Sequence, residues 1–555
     1  MKEKYWWLTE ESQAMLERGY LLPNQTVEEK LNVICKYAAS FYKDEVGLKE
    51  RFLEIFERGW CSLSSPIWAN FGEDRGLPIS CFSSFVPDDL DKIYGTLHEV
   101  AMMTKLGGGT SGYFGKLRPL GTPIKGGGIS SGLMSFTELF DTTTKVVSQS
   151  GVRRGAFAAY LDIDHPEIEE FLKVKDKGHS LQTINTAVSV SDEWMKQMKD
   201  GDKEKRELWA KILKSRREKG IPYIFFSDTA NRNKPQIYKD TNSTIHSSNV
   251  CSEIFLPTSE MESFVCCLMS MNLSTYDEWK NTDAVRLVVM ILDAVMSDFI
   301  KKTKNLPYMQ RAHNFAVRHR ALGLGVLGWH SLLQQKMIPF ESFEAQQLNT
   351  SIFKYLKEKS YEASIELGEK YGYAPIFEGV ETTDTKRRNT TLMAIAPTTS
   401  SSSILGQVSP SIEPYASNYF VAGLAKGSFS RKNTELEKLL ESKGKNTEDV
   451  WKNIIQNQGS VQQLGFLSEN EKKVFKTFQE ISPLAIIQQA AARQSFIDQG
   501  QSVNLKIPSS MGIKDINTIH MEAWELGLKS LYYQRGTSVA KEAVLEMMEC
   551  KSCEG

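Results

Sequence analysis

An alternation constrains this chain more than any other feature. After about residue 155, helix-like stretches take turns with short apolar or β-rich runs: PEIEEFLKVK, TAVSVSDEWMKQM, YIFFSD, a helix over 283–304, LGLGVLGWHSLL and a long amphipathic stretch at 343–371. Helices that alternate with strands cover the faces of the sheet those strands form, so the pattern predicts an α/β architecture around a central sheet or barrel. Periodicity does not separate the two. Upstream, TVEEKLNVICKYAASFYK and GLKERFLEIFERGW repeat apolar residues at helical spacing, which predicts helices up to about residue 60. From Cys61 to Arg154 Gly, Ser and Pro become frequent, the texture of loops around short buried strands. Near the end, SPLAIIQQAAARQSFIDQ and HMEAWELGLKSLYYQ again read as helical.

At 555 residues the chain is long enough for a large core and more than one structural region. A formal net charge of -1 gives no reason to expect nucleic acid or a membrane surface as partner. The charged stretch 199–220 alternates signs and reads as a solvated helix. The most apolar run, RLVVMILDAVMSDFI, carries two aspartates and is too short to span a bilayer. The first residues lack a signal-type apolar core. A cytoplasmic protein is expected, in a compartment where cysteines act as buried apolar groups, metal ligands or redox groups.

Eight cysteines lie at 35, 61, 81, 251, 266, 267, 550 and 553, and the eight histidines form no HExxH or CxxC/HxxxH array, so no metal site is expected. In NVCSE, positions i, i+2 and i+4 put Asn249, Cys251 and Glu253 on one face if the segment is extended. An amide, a thiol and a carboxylate then converge. A buried structural cysteine is the commoner outcome for such a residue. A hydrolytic cysteine wants a histidine base, and His246, five residues away, falls on the opposite face. Cys550 and Cys553 form a CxxC pair suited to cycling between dithiol and disulfide. Tyr532 and Tyr533, taken alone, read as packing residues. GGGTSG at 107–112 matches GxGxxG but lacks the strand before and helix after that a dinucleotide site needs. Glycines there, and PTTSSSS at 397–403, still permit close backbone approach to a phosphate.

Taken together these stretches resemble the large, catalytic subunit of class I ribonucleotide reductase. The residues that carry the resemblance are SSPI and PISC, GGGTSGYFGKLRPLGTPIKGG, QSGVRRGA, AAYLDIDHPEIEEFL, SNVCSEIFLPT, CCLMSMNL, LGLGVLGWH, APTTSSS, RQSFIDQGQS, LYYQ and the terminal CxxC, in the family's order from about Gly59 onward. The resemblance implies a ten-stranded α/β barrel of two antiparallel five-stranded halves. It would span 61–535 after an N-terminal helical region at 1–60 and before a flexible redox-shuttle tail at 536–555. It implies reduction of ribonucleoside diphosphates to deoxyribonucleotides, with Cys251 as the thiyl radical, Glu253 as base and Asn249 positioning the sugar. Cys81 and Cys266 would supply the electrons as they form a disulfide, and Cys267 would face away. Cys550 and Cys553 would reduce that disulfide and be reduced in turn by thioredoxin or glutaredoxin. Tyr532 and Tyr533 would relay a radical from a partner small subunit.

By position, the resemblance puts Ser65, Ser80, Gly107, Gly108, Gly109, Thr398, Thr399, Ser400 and Ser401 around the substrate's sugar and phosphates. Asp88, Arg118 and Lys125 fall at the site for the deoxynucleotide or ATP effector, carried with magnesium. Gln149 and Arg153 fall on the loop linking that site to substrate. A homodimer is expected. The N-terminal stretch is shorter than the family's ATP-binding module, so the expectation is base-specificity control without an intrinsic on/off site. Two other readings are an adenosylcobalamin-dependent reductase and an inactive nucleotide-binding regulatory paralogue.

Overall fold

The structure, a computed structural model, describes residues 3–147, 155–424, 427–508 and 510–536, with backbone alone for 420–424 and 427–430. Gln149, Arg153, Cys550 and Cys553 lie outside the described residues.

Three helices, Glu10–Leu16, Val27–Ala39 and Leu48–Glu57, open the chain. The second begins where the sequence writes a helix start: the Thr26 hydroxyl accepts from the Glu29 N–H while the Glu29 carboxylate accepts from the Thr26 N–H. The sheet then starts with β1 (Cys61–Leu63), β2 (Cys81–Phe85), β3 (Gly109–Tyr113), β4 (Phe157–Asp162), β5 (Asn185–Val190) and β6 (Tyr223–Phe226). Strands β2 to β6 run parallel in sequence order, joined by crossovers that carry helices such as Leu90–Lys105 and Gly132–Val146. This is the arrangement a strand–helix alternation imposes.

The second half begins with β7 (Phe264–Asn272) and β8 (Leu322–Leu327), which pair parallel. Parallel bridges Leu324↔Met393 and Ile395↔Gln501 extend it. β9 (Tyr419–Leu424) and β10 (Gly427–Lys432) form a hairpin, and the segment around them carries a small core of its own, including Leu436, Trp451 and Phe475. β11 (Leu505–Ile507) pairs parallel with β13 (Gln534–Gly536), and β12 (Ser530–Leu531) pairs antiparallel with β6. The two halves therefore meet antiparallel twice, at β2·β7 and at β6·β12. Among the described residues the continuous sheet counts nine strands, with β8 branching from β7.

Helix Ala284–Thr303 is buried nearly all round and lies between β7 and helix Phe343–Tyr371, which explains its uninterrupted apolar texture. Two expectations are corrected. HMEAWELGLKSLYYQ is not one helix: helix Ile513–Glu525 ends before Gly527, whose φ of +79° suits glycine, and the residues beyond form β12 and β13. The stretch 199–220 does contain helix Lys203–Lys219, but its face with Trp209, Ile212, Leu213 and even Arg216 is buried. The burial of Arg216 comes from tertiary partners, since its guanidinium donates to the carbonyls of Pro222 and Tyr532 and to His520 Nε2.

Candidate active site

Residues 243–263 have no regular structure, and 247–256 lie buried. Val250 and Cys251 pack in one apolar cluster with Tyr160, Tyr223, Phe225, Phe255, Tyr532 and Tyr533, contributed by β4, β6 and the chain between β12 and β13. A loop inside a protein must satisfy its own backbone, and this one does so in two ways. The Asn249 side chain acts first: its Oδ1 accepts from the N–H groups of Glu253 (3.0 Å) and Ile254 (3.1 Å). The Ser252 N–H closes the turn onto the Asn249 carbonyl at 3.2 Å. NVCSE is thus a turn and not an extended run, with Ser252 at φ +63°. Asn249, Cys251 and Glu253 converge because an Asx-type cap folds the segment back, not because alternate residues share a strand face.

Second, hydroxyls of the barrel wall reach four consecutive or near-consecutive carbonyls. Ser111 donates to the Ser248 carbonyl (2.8 Å) and Tyr160 to that of Asn249 (2.7 Å); Ser502 donates to that of Cys251 (2.5 Å) and Ser530 to that of Ser252 (2.8 Å). Two come from the first half of the barrel and two from the second, so the loop's position depends on closure of both.

The side chains at the loop tip form one polar group. Asn249 Nδ2 donates to Glu253 Oε1 (2.9 Å) and to Cys81 Sγ (3.0 Å), and Cys81 Sγ lies 4.0 Å from Glu253 Oε1. Ser502 Oγ reaches Glu253 Oε2 at 2.9 Å. Cys81 and Cys266 are register partners on the antiparallel β2·β7 ladder. Directly opposite residues there lie about 4.5–5.5 Å apart at Cα with side chains on one face, inside the range a disulfide needs. Cys267, one residue on, points the other way, its thiol toward the Leu292 carbonyl in the buried helix behind (3.5 Å). Burial pushes the thiols of both Cys266 and Cys267 well up from the ordinary value. β8 passes so close that a Cβ on Gly323 would sit 3.2 Å from Cys266 Sγ and 2.4 Å from Leu268, which is why LGLGVL carries glycine there.

An open cavity has Cys81, Cys251 and Glu253 on its lining. Ser65, Ser80, Gly109, Thr398, Ser400 and Ser401 line it as well. Behind the sulfurs the rings of Tyr532 and Tyr533 sit 4.4 Å apart, and Tyr223 contacts both, at 4.8 and 5.0 Å.

Residues 79–205, 202–387 and 384–534 match the family described as ribonucleotide reductase, barrel domain. The chain belongs to the ribonucleotide reductase family. It is similar to the putative ribonucleoside-diphosphate reductase large subunit of Frog virus 3, at 35% identity over 92% of this chain and 93% of the viral one. It is also similar to the large subunit of Danio rerio, at 30% identity over 94% of this chain and 74% of the fish protein. The solved class Id ribonucleotide reductase alpha subunit of Actinobacillus ureae superposes with a TM-score of 0.92 at 50% identity, covering 99% of this chain and 100% of that one. The chain is therefore a reductase of the class I large-subunit type, and its α/β sheet is the barrel of that family.

Within this reductase the remaining expected residues are distributed unevenly. Gly107 and Gly108 do not line the cavity; Gly108 lies against Phe82, where a Cβ would meet the ring at 2.2 Å. Thr399 begins helix Thr399–Ile404 without reaching the lining, although its neighbours do. Asp88 and Arg118 form an ion pair (2.7 Å) past the far ends of β2 and β3, away from the cavity, and Lys125 is exposed on the loop beyond. His246 packs between Phe85 and Tyr113, with burial pushing its pKa down to about 4, and serves no cysteine. Sequence reasoning missed the serine floor of the cavity, Ser62, Ser64 and Ser270, and the hydroxyl clamp on the loop. Ser62 and Ser270 are paired in register, which sequence does not display. Among the described residues no helix is long and apolar enough to cross a membrane.

Proposed function

We propose that this reductase works by a thiyl-radical mechanism centred on Cys251. The observation that carries the reading is the convergence of Cys251, Glu253 and Cys81 on one cavity, with Asn249 hydrogen-bonded to both Glu253 and Cys81 and with Cys266 opposite Cys81 in register. The Cys251 sulfur radical takes the hydrogen from C3′ of a bound ribonucleoside diphosphate, leaving a thiol and a carbon radical. Glu253 accepts the 3′-hydroxyl proton, while Asn249 orients the sugar. The 2′-hydroxyl leaves as water with a proton from Cys81. Cys81 and Cys266 together give up two electrons and two protons and close a disulfide. Cys251 returns its hydrogen to C3′ and is a radical again, so the balance is one diphosphate and one dithiol giving one deoxynucleotide, one disulfide and one water.

Tyr532 and Tyr533 carry the radical in from a partner small subunit, a role to which their contact at 4.4 Å and their packing against the Cys251 cluster lend support. Ser65, Ser80, Gly109, Thr398, Ser400 and Ser401 hold the sugar and phosphates. Asp88, Arg118 and Lys125 bind the deoxynucleotide that selects the base, with Gln149 and Arg153 as the link. Cys550 and Cys553 return electrons from thioredoxin or glutaredoxin, and the chain works as a homodimer. In domain terms, 1–60 is a helical cover, 61–535 the barrel and 536–555 the shuttle.

The test is conversion of labelled CDP to dCDP by the purified chain with ATP and dithiothreitol. It is run alone, with adenosylcobalamin, and with the radical-bearing small subunit from the same genome, each beside Cys251→Ser and Tyr532→Phe. Activity that needs the small subunit and disappears in both variants is the expected result. Activity with adenosylcobalamin alone, or a working Tyr532→Phe, overturns the radical relay.

A further inference from the structure

Ser502 stands where two acceptors compete for one proton. Its hydroxyl oxygen is 2.5 Å from the Cys251 carbonyl oxygen and 2.9 Å from Glu253 Oε2. A serine has a single O–H to donate. Opposite an ionised Glu253 both neighbours are acceptors, so the proton can serve one of them at a time. Opposite a protonated Glu253 the conflict vanishes: the carboxyl O–H donates to Ser502, and Ser502 donates to the Cys251 carbonyl. Ser502 is 1% exposed and Glu253 also 1%, so water does not rescue the unserved contact cheaply.

From this we infer that Ser502 is a positioning residue that couples the protonation of Glu253 to the backbone of Cys251. The inference rests on Glu253 acting as the base. When Glu253 takes the 3′-hydroxyl proton, Ser502 turns its own proton fully onto the Cys251 carbonyl and tightens the loop during the interval in which the Cys251 thiol must give its hydrogen back to C3′. When Glu253 releases that proton, the hydroxyl is shared again and supports the carboxylate for the next cycle. The fold holds Ser502 firmly enough for this role: its N–H donates to the Ile395 carbonyl at 2.9 Å, and the next residue's carbonyl accepts from Tyr532 N–H at 3.0 Å. The groups that face Glu253 from the surrounding elements are Cys81 on β2, Cys266 on β7, Tyr160 on β4 and Cys251 on the loop itself. Burial pushes the ionisation of Cys266 and Tyr160 upward, away from the acid limb of any activity profile.

The experiment measures kcat and kcat/KM for CDP from about pH 5 to 9 with the small subunit present. It compares the unmodified chain with Ser502→Ala, the isosteric pair Ser502→Thr and Ser502→Val, and Glu253→Gln. Losing a hydrogen bond to a charged group lowers kcat by about 10- to 100-fold while KM moves by less than about threefold. Because both contacts are satisfied only opposite the protonated carboxyl, the hydroxyl favours the protonated form, and its loss moves the acid limb down by about one pH unit. Ser502→Thr restores both the rate and the limb; Ser502→Val, of the same shape without the hydroxyl, does not. If Ser502→Ala does not fold, the Thr and Val pair makes the same comparison. An acid limb that stays in place in Ser502→Ala or Ser502→Val, with Glu253→Gln inactive, overturns the coupling. A Glu253→Gln chain that still turns over overturns the base assignment instead.

Discussion

If Cys81 and Cys266 are the reducing pair, a chain allowed to turn over once without external reductant must end with those two sulfurs joined. The perturbation is Cys550→Ser with Cys553→Ser, which removes the proposed shuttle and traps the product state. The β2·β7 register already places the two residues opposite one another, so the bond forms without strand movement: about 4.5–5.5 Å between Cα atoms is typical of the ladder and about 4.4–6.8 Å of disulfides. The bond closes a loop of about 185 residues, for which chain entropy sets an upper stabilisation of about 5 kcal/mol. The oxidised chain should therefore unfold at a higher urea concentration than the same chain after dithiothreitol. The assay is a quench with an alkylating agent followed by peptide mapping, beside a count of dCDP formed. One dCDP per chain, with Cys81 and Cys266 joined and Cys267 alkylated after denaturation, is the expected outcome, since the couple transfers two electrons. Product formed with no Cys81–Cys266 crosslink, or a crosslink through Cys267, would refute the reasoning, because Cys267 points at Leu292 behind the sheet.

Two further outcomes follow from the loop and from the buried histidines. Tyr160→Phe removes the 2.7 Å donor to the Asn249 carbonyl, which keeps the Ser252 N–H at 3.2 Å. About 1–2 kcal/mol of loop support is lost, read as roughly 5- to 30-fold lower kcat and faster amide exchange across 247–254, and unchanged exchange would contradict the clamp. His330 and His520 are buried neutral, with burial pushing each pKa down to about 3, and Arg216 adds to the effect at His520. An unfolded histidine near 6.5 binds protons that the native one refuses, so stability is complete above that value and is lost as the pH falls toward 3, by about 1.4 kcal/mol per unit for each group. The urea midpoint should drop between pH 6.5 and 5; a flat midpoint over that window would count against this assignment.

The chain's own residue order determined a good deal. Strand–helix alternation is a local property, and it produced the α/β class and the limits of helix Phe343–Tyr371, because amphipathic periodicity is set by the few residues of one turn. A thiol between an amide and a carboxylate and a CxxC pair stood out by residue type, whereas the paired tyrosines read alone as packing residues and acquired their proposed role only through the family resemblance. The meeting of the site residues was not legible in the same way. That Cys81 faces Cys266 is a fact of strand register, decided by which residues of β2 and β7 share a ladder. That Asn249, Cys251 and Glu253 converge through a capped turn depends on a loop that is held only once both halves of the barrel are in place, with hydroxyls from Ser111, Tyr160, Ser502 and Ser530 on its carbonyls. The end of helix Ile513–Glu525 likewise yielded to tertiary demand, since LKSLYYQ is drawn out as strand to pair with β6 and β11 and to bury two tyrosines. Residue types announce the chemistry because chemistry is local; the distances that let those residues act together belong to hydrogen bonds between segments far apart in the chain.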